Sequence, residues 1–464
     1  MSERLNRRES EHRAFLSYVI LILPLVAFLQ TAVPGKDAGF DLPFPRPGYS
    51  NAPSKTFPRV YQEPSAIADA GQVPQDVVAS DFNGDGHADL AVAYAYDDRI
   101  GWFLGDGTGG FTPKGQISVG VQAGDGNDLP RSLVAADFDR DGFQDLAVLC
   151  SGNPNPPFST PPSLGILYGL PGGLFETYRE VIVVPEGQEP PLFSVALAAG
   201  QLDADDFCDL IVGHFDSNQL SLIHGKTGRR WEEPRLTDVV TSGAGPSAVA
   251  IADLDFDGAD DLIVLSRRDV QVWRNNGSGQ FPFRSILGYG SAFSALALAD
   301  FDRDGLWDLV VLDAGRNEMR LFFDVGAHGA PVTQSLFTLT EPPPSGEGPI
   351  DILVYDENLD GRDDIALVYL LSGGGDIYLG RPNGVQMPLA WSRHFETAKA
   401  PRAIASSDFD HDGWPDLIVA HEGDKDISDN ADLVLTPGIP PPTPPALLDP
   451  LTSSTPGENI APYL

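Results

Sequence analysis

The residues best suited to chemistry in this sequence are aspartates that recur at fixed spacing. DFNGDGHADL begins at Asp81, DFDRDGFQDL at Asp137, QLDADDFCDL at Gln201, DLDFDGADDL at Asp253, DFDRDGLWDL at Asp300, DENLDGRDDI at Asp356 and DFDHDGWPDL at Asp408. The shared pattern is D-x-[D/N]-x-D-G-x-x-D. Side-chain oxygens at positions 1, 3, 5 and 9, with a backbone carbonyl near position 7, can wrap a hard cation, and Gly at position 6 permits the sharp bend. Oxygen ligands without Cys or His favour Ca²⁺ over zinc or copper, and their number and flexibility favour it over Mg²⁺.

The expected calcium ligands follow from the spacing. They are Asp81, Asn83, Asp85 and Asp89 in the first segment, and Asp137, Asp139, Asp141 and Asp145 in the second. The fourth offers Asp253, Asp255, Asp257 and Asp261, and the fifth Asp300, Asp302, Asp304 and Asp308. The sixth offers Asp356, Asn358, Asp360 and Asp364, and the last Asp408, Asp410, Asp412 and Asp416. The third departs most. Gln201 stands at position 1 and Asp206 replaces the glycine, leaving Asp203, Asp205 and Asp209. About six Ca²⁺ sites are expected, with the loop at 201–209 weak or empty. A solvated, metal-free Asp/Gly turn explains one such copy well. Seven copies in register favour the cation, because three or four carboxylates within nine residues repel unless a positive charge lies among them.

The elements around these segments repeat too. Successive starts lie between 47 and 64 residues apart, a period that marks a propeller or solenoid. Before each acidic segment runs a short apolar stretch (VVAS, LVAA, AVAIA), and after it a second (LAVAY, LIVLS, LVVLD) whose length suits a strand buried on both faces. A third run often ends in a Gly-rich turn, as in WFLGDGTGGF, and a more polar fourth follows. Four strands per repeat make a propeller blade. Pro74, Pro130, Pro246, Pro349 and Pro401 each stand seven residues before a first Asp, where the missing N–H does no harm to a strand's beginning. After the last acidic segment only two strands remain before the Pro-rich run. The orphan segment FPRVYQEPSAI at 57–67 is therefore expected to complete the seventh blade and close the ring.

These motifs resemble the FG-GAP/VCBS repeats of integrin α-subunit heads and many bacterial surface proteins, over roughly residues 57–436. The resemblance implies an all-β, seven-bladed β-propeller of four-stranded blades and calcium on the loop acids named above. It leaves function open, since integrin-like propellers bind proteins and similar ones serve as fungal lectins or polysaccharide-lyase modules.

Composition narrows the partners. The 464 residues carry 66 acidic against 30 basic side chains, a formal net charge of −36, which argues against a nucleic-acid ligand. Arg4, Arg7, Arg8 and Arg13 precede an apolar run from Ala14 to Val33. Residues 1–35 thus read as a signal peptide or signal anchor forming one hydrophobic helix, with the rest of the chain facing outward. The protein is expected to be exported: at the cell surface, periplasmic or secreted. It would touch a membrane only through 14–33 if that segment is uncleaved. Residues 36–56 read as a Pro/Gly-rich spacer and 437–464 as a Pro-rich disordered tail.

Strand parity places the acidic loops and Gly-rich turns on one face, here called lower. A protein or glycan ligand is expected on the upper face, whose loops vary in length, as at 150–165, 341–349 and 421–432. Arg131 and Arg402 enter strands near that face and read as solvated loop arginines; Phe158 and Phe193 are the aromatics placed near it. Cys150 falls at an upper strand end and Cys208 in a lower loop, so two free thiols are expected. No histidine forms an H-x-x-x-H motif, and the carboxylate pairs are already explained by the metal loops. The favoured function is a non-enzymatic surface binding or adhesion scaffold with structural Ca²⁺. A lectin-like propeller is the alternative, and a polysaccharide lyase or hydrolase has weaker support.

Overall fold

The structure, a computed structural model, describes residues 65–67, 73–120, 128–154, 159–203, 205–239, 245–326, 333–338, 346–381, 388–397, 399–422 and 433–438. The expected export helix, the spacer, most of the tail and Phe158 lie outside them. No helix of the described residues is long and apolar enough to cross a membrane.

Seven four-stranded antiparallel sheets follow one another, each with strands A to D in order. Blade 1 comprises Pro74–Ser80, Asp89–Tyr94, Arg99–Gly105 and Phe111–Ser118. Blade 2 comprises Pro130–Ala136, Asp145–Cys150, Ser163–Leu167 and Arg179–Val181. Blade 3 comprises Ser194–Gly200, Asp209–His214, Gln219–Ile223 and Arg235–Asp238. Blade 4 comprises Pro246–Ala252, Asp261–Ser266, Asp269–Arg274 and Phe283–Tyr289. Blade 5 comprises Phe293–Ala299, Asp308–Asp313, Glu318–Phe323 and Thr333–Thr338. Blade 6 comprises Pro349–Tyr355, Asp364–Tyr369, Gly375–Gly380 and Leu389–Phe395.

Blade 7 is composite. Pro401–Ser407, Asp416–His421 and Leu433–Thr436 supply A, B and C, and Ser65–Ile67 pairs antiparallel with C, Ser65 opposite Leu435. The N-terminal strand thus closes the ring, so that the last sheet is held by both ends of the repeat array. Strand A of each blade packs on strand A of the next, and that of blade 7 returns to blade 1. The fold is a seven-bladed β-propeller.

The sequence explains each layer. Strand B is buried along its whole length in every blade, as its unbroken apolar runs require. The core lies between blades: one apolar cluster joins blades 3 to 5 around Trp273 and Phe293, and another joins blades 6, 7 and 1 around Phe395, Phe409 and Tyr94. Strand D is the polar outer edge, as in blade 1, where Phe111–Ser118 buries no residue fully. All seven A strands carry a register shift just after their first residue, which is the proline position in five of them. A bulge there bends the strand where it meets the upper face.

Candidate metal loops and the opposite face

Each acidic segment is the A–B loop of its blade, and its first carboxylate builds it. Asp137 Oδ1 accepts from the Asp141 amide at 3.1 Å and Oδ2 from the Gly142 amide at 2.9 Å. Asp81, Asp253, Asp300, Asp356 and Asp408 make the same pair of bonds. The glycine they hold has a left-handed φ of 79 to 93° in the six loops that carry it, a region that other residues avoid. Position 4 is left-handed too, in Gly84, Arg140, Phe256, Arg303, Leu359 and His411, which the sequence pattern did not signal.

The aspartate at position 9 begins strand B and is fully or almost fully buried in all seven blades. One of its oxygens reaches back to the loop, as Asp145 Oδ2 does to the Phe138 amide at 2.9 Å. The other accepts an amide at the end of strand C: Gly105 on Asp89, Gly169 on Asp145, Gly225 on Asp209, Asn275 on Asp261, Asp324 on Asp308, Gly380 on Asp364 and Gly438 on Asp416. Position 9 therefore clamps the A–B loop to the C–D turn, a role beyond the ligand role its spacing suggested. Burial pushes Asp89, Asp261 and Asp416 up to about 6, Asp145 and Asp364 to about 7, and Asp308 to about 8. A bound cation would oppose these shifts by favouring the charged form.

In four loops the fold brings three of the four expected donors together. Three carboxylate oxygens lie within 4.8 Å of one another in blades 2 (Asp137, Asp139, Asp145), 4 (Asp253, Asp255, Asp257), 5 (Asp300, Asp302, Asp304) and 7 (Asp408, Asp410, Asp416). In blades 1 and 6 an asparagine takes position 3; Asn83 Oδ1 and Asn358 Oδ1 accept the amides of Asp85 and Asp360. Oxygen donors at this density suit a Ca²⁺ ion.

The loops differ in the positive charge already near them. In blade 3, Lys226 Nζ lies 3.2 Å from Asp203 Oδ2 and 2.6 Å from Asp205 Oδ2, and His224 Nδ1 lies 3.2 Å from Asp209 Oδ2. Hydrogen bonding to Asp209 raises the His224 pKa. The degraded loop thus carries its own ammonium where a metal would otherwise neutralise it. Neither Lys226 nor His224 was singled out from the acidic pattern; both lie on the C-strand side, some twenty residues on. Lys226 sits on a two-residue ribbon, Gly225–Lys226 paired with Arg230–Trp231, which also sends Arg229 onto Asp139 and Glu176 of blade 2. In blade 4, Arg274 Nη1 lies 2.8 Å from Asp261 Oδ2 and 3.3 Å from Asp255 Oδ2. In blade 6, Arg362 pairs with Asp360.

Blade 5 is the opposite case. Five blades have glycine at the end of strand C, where a Cβ on Gly105 would come within 2.2 Å of the Ala88 carbonyl. Blade 5 has Asp324 there, and its pKa is raised by burial and by the nearby Asp304, Asp302 and Asp300. A fifth carboxylate thus joins that loop. The signal was present in the sequence as an aspartate where five repeats have glycine and one has asparagine, visible only when the seven are set side by side.

Neighbouring loops are stitched together on this lower face. His87 Nδ1 and His411 Nε2 lie 2.5 Å apart across the seam between blades 1 and 7, and Trp307 Nε1 donates to the Asp253 carbonyl at 3.0 Å. The Gly-rich C–D turn of blade 1 reaches the same face, where the Gly109 amide donates to the Phe409 carbonyl.

On the upper face two expectations fail. Arg131 and Arg402 are not solvated: they are 4% and 2% exposed. The bulge turns them inward, where Arg402 pairs with Glu422 at 2.5 Å and Arg131 lies 6.0 Å from the Phe193 ring centroid. Phe193 is itself buried, so it offers no surface aromatic. Below them Asp76 and Asp351 reach across blade boundaries to the amides of Leu133 and Ile404, at 2.8 and 2.9 Å. Among the described residues, Tyr289 at the end of strand D in blade 4 is an exposed aromatic on the upper face. Cys150 and Cys208 are both free and buried, as expected from strand parity.

Several solved structures share this architecture. BBS1N in complex with ARL6DN matches with a TM-score of 0.53 at 11% identity, covering 81% of this chain and 95% of that one. A protein from Lactobacillus plantarum matches with a TM-score of 0.50 at 14% identity, covering 73% and 89%. The periplasmic gluconolactonase PpgL of Pseudomonas aeruginosa gives 0.49 at 13% identity, covering 70% and 86%. At such identities the likeness is one of fold alone. No curated protein sequence matches the chain. The FG-GAP-like repeat family matches residues 81–148, 201–264, 253–311 and 339–419, which together span more than half of the sequence. With seven blades and the acidic loop in each A–B connection, the chain belongs to the FG-GAP-like repeat family.

Proposed function

We propose that this protein is an exported β-propeller that serves as an interaction scaffold, held rigid by Ca²⁺ in its lower-face loops and presenting its upper face to a protein or glycan. The observation that carries this reading is the convergence of three carboxylate oxygens within 4.8 Å in the intact loops of blades 2, 4, 5 and 7, on one face of the ring. Calcium there would bind the folded loops and not the unfolded chain, and so stabilise by mass action. Its role is structural, because the position 9 carboxylates join each loop to the strands that form the blade.

Melting curves test this directly. Excess EDTA should lower the melting temperature by 10 °C or more, of the order expected when several kcal/mol of binding energy is withdrawn from a domain this size. Returning Ca²⁺ should restore it, and Mg²⁺ at equal concentration should not. A melting curve indifferent to EDTA would remove calcium from the account.

A lectin-like function is the second reading, and the exposure of Tyr289 on a connector bonded to the Arg267–Arg268 turn favours it. A lyase or hydrolase has less support from the described histidines. His214 is buried between Ser194 and Ser221, and burial lowers it to about 4; His224 is held by the blade 3 loop.

A further inference from the structure

The upper end of blade 4 is unusual in a chain of net charge −36. Its B–C turn places two arginines in succession, Arg267 half-buried and Arg268 exposed. Burial and the charge of Arg268 lower the Arg267 pKa. The turn is bonded to the connector that leads into blade 5: the Gly290 amide donates to the Arg268 carbonyl at 2.8 Å and the Phe293 amide to the Arg267 carbonyl at 3.0 Å. Tyr289, which opens that connector, is 61% exposed.

The connector is fixed from beneath. Arg320 Nη1 donates to the Tyr289 carbonyl at 2.6 Å, and the Asp313 carboxylate accepts the amides of Ser291 and Ala292 at 2.9 and 3.0 Å. A Cβ on Gly315 would come within 2.6 Å of Ser291 Oγ, so the blade 5 turn that bears Arg316 lies against the same connector. Tyr289 therefore stands on a fixed backbone beside the Arg267–Arg268 turn, while Arg316 and Arg320 on the blade 5 side are ion-paired with Asp313 and Glu318.

We propose that Arg267, Arg268 and Tyr289 form a subsite for a carboxylate-bearing sugar, a uronate unit of an acidic glycan. The inference rests on reading the upper face as the interaction surface. Paired guanidinium groups match the planar fork of a carboxylate and discriminate it from a neutral hydroxymethyl group. The aromatic ring offers an apolar face with a polar tip, the combination suited to a ligand that is partly apolar and partly wet. A protein partner would more typically seat an apolar anchor in a desolvated pocket. Here the chain neighbours of Tyr289 are glycines, Gly288 and Gly290, and the turn bonded to its connector carries Arg267 and Arg268. The acidic remainder of the surface would repel a polyanion elsewhere and so confine binding to this place.

The test uses trigalacturonate and its neutral counterpart, trigalactose, titrated calorimetrically into the full protein in millimolar Ca²⁺. Trigalacturonate should bind at least tenfold more tightly than trigalactose, and more weakly as NaCl is raised. The double variant Arg267→Gln/Arg268→Gln and the single variant Tyr289→Ala should each weaken binding tenfold or more while keeping the wild-type melting temperature. Absence of trigalacturonate binding, equal affinity for the neutral sugar, or variants that bind as the wild type does would each overturn the proposal. Binding of a glutamate-rich peptide in place of the sugar would overturn it as well. These outcomes are separate from failure of the scaffold reading, which the EDTA melting curve reads independently of any sugar.

Discussion

The Lys226 ammonium lies 2.6 Å from Asp205 Oδ2 and 3.2 Å from Asp203 Oδ2, within the one acidic loop that lacks both its first aspartate and its glycine. Loss of the metal pattern and gain of an internal cation coincide in one blade. Lys226→Met should destabilise the protein in EDTA by about 1 kcal/mol, the scale of a partly exposed ion pair. Millimolar Ca²⁺ should recover part of that loss by entering the vacated loop. Urea denaturation with and without Ca²⁺ measures both effects, and equal stability of variant and wild type in EDTA would show that the lysine neutralises nothing.

Asp324 sets blade 5 apart. Its amide donates to Asp308 Oδ1 at 3.0 Å, and its carboxylate joins Asp300, Asp302 and Asp304. Blade 5 should therefore hold the tightest Ca²⁺, whereas Arg274 and Arg229 should weaken blades 4 and 2. Asp324→Asn is expected to weaken the first step of a calcium titration about tenfold, or about 1.4 kcal/mol. An unchanged first step would place the tightest site in another blade.

Asp351 gives a pH signature unconnected with the metal loops. Burial raises its pKa to about 7, above the roughly 3.9 of an unfolded aspartate. Between these values the native state holds a proton that the unfolded chain has released, so stability falls as pH rises from about 4 to about 7. The loss between pH 5 and 8 should approach about 3 kcal/mol from this group. Asp351→Asn should flatten the slope, measured by urea denaturation in saturating Ca²⁺. A variant with the wild-type slope would show that Asp351 is not the titrating group.

Arg402 and Glu422 form a pair that is almost completely buried. Arg402→Ala strands the carboxylate in the interior and should cost about 3 to 5 kcal/mol. The double variant Arg402→Met/Glu422→Met should recover most of it, because it removes both charges at once. A solvated arginine would give less than about 1 kcal/mol. A chemical denaturation series therefore separates the two placements.

Cys150 and Cys208 should resist iodoacetamide in the native protein and react together on unfolding, because burial pushes both thiols up and away from the reactive thiolate. Intact mass spectrometry reads the two labels. A 150–208 bridge would contradict the opposite placement of the two residues.

The repeat, its four strands and the closing N-terminal strand were all legible in the sequence, because each depends on local information. An apolar run flanked by an Asp/Gly loop has few other ways to bury itself, and seven such units without a final strand require one from elsewhere. The ligand spacing within each loop was legible for the same reason: nine consecutive residues carry it. Other features were decided by contacts between residues distant in the chain. Lys226 reaches Asp205, Arg229 reaches Asp139 in the preceding blade, and Asp351 reaches the Ile404 amide in the next, across 21, 90 and 53 residues. Arg131 and Arg402 read as surface residues because charge alone says nothing of a bulge that turns a side chain inward. Tyr289 was one aromatic among many until strand D carried it to the upper rim beside Arg268. Nine consecutive residues were enough to show which loops gather oxygen donors. Which of those loops already have a basic side chain among the donors emerged only from the packed blades, since charge neutralisation depends on distance in space and not along the chain.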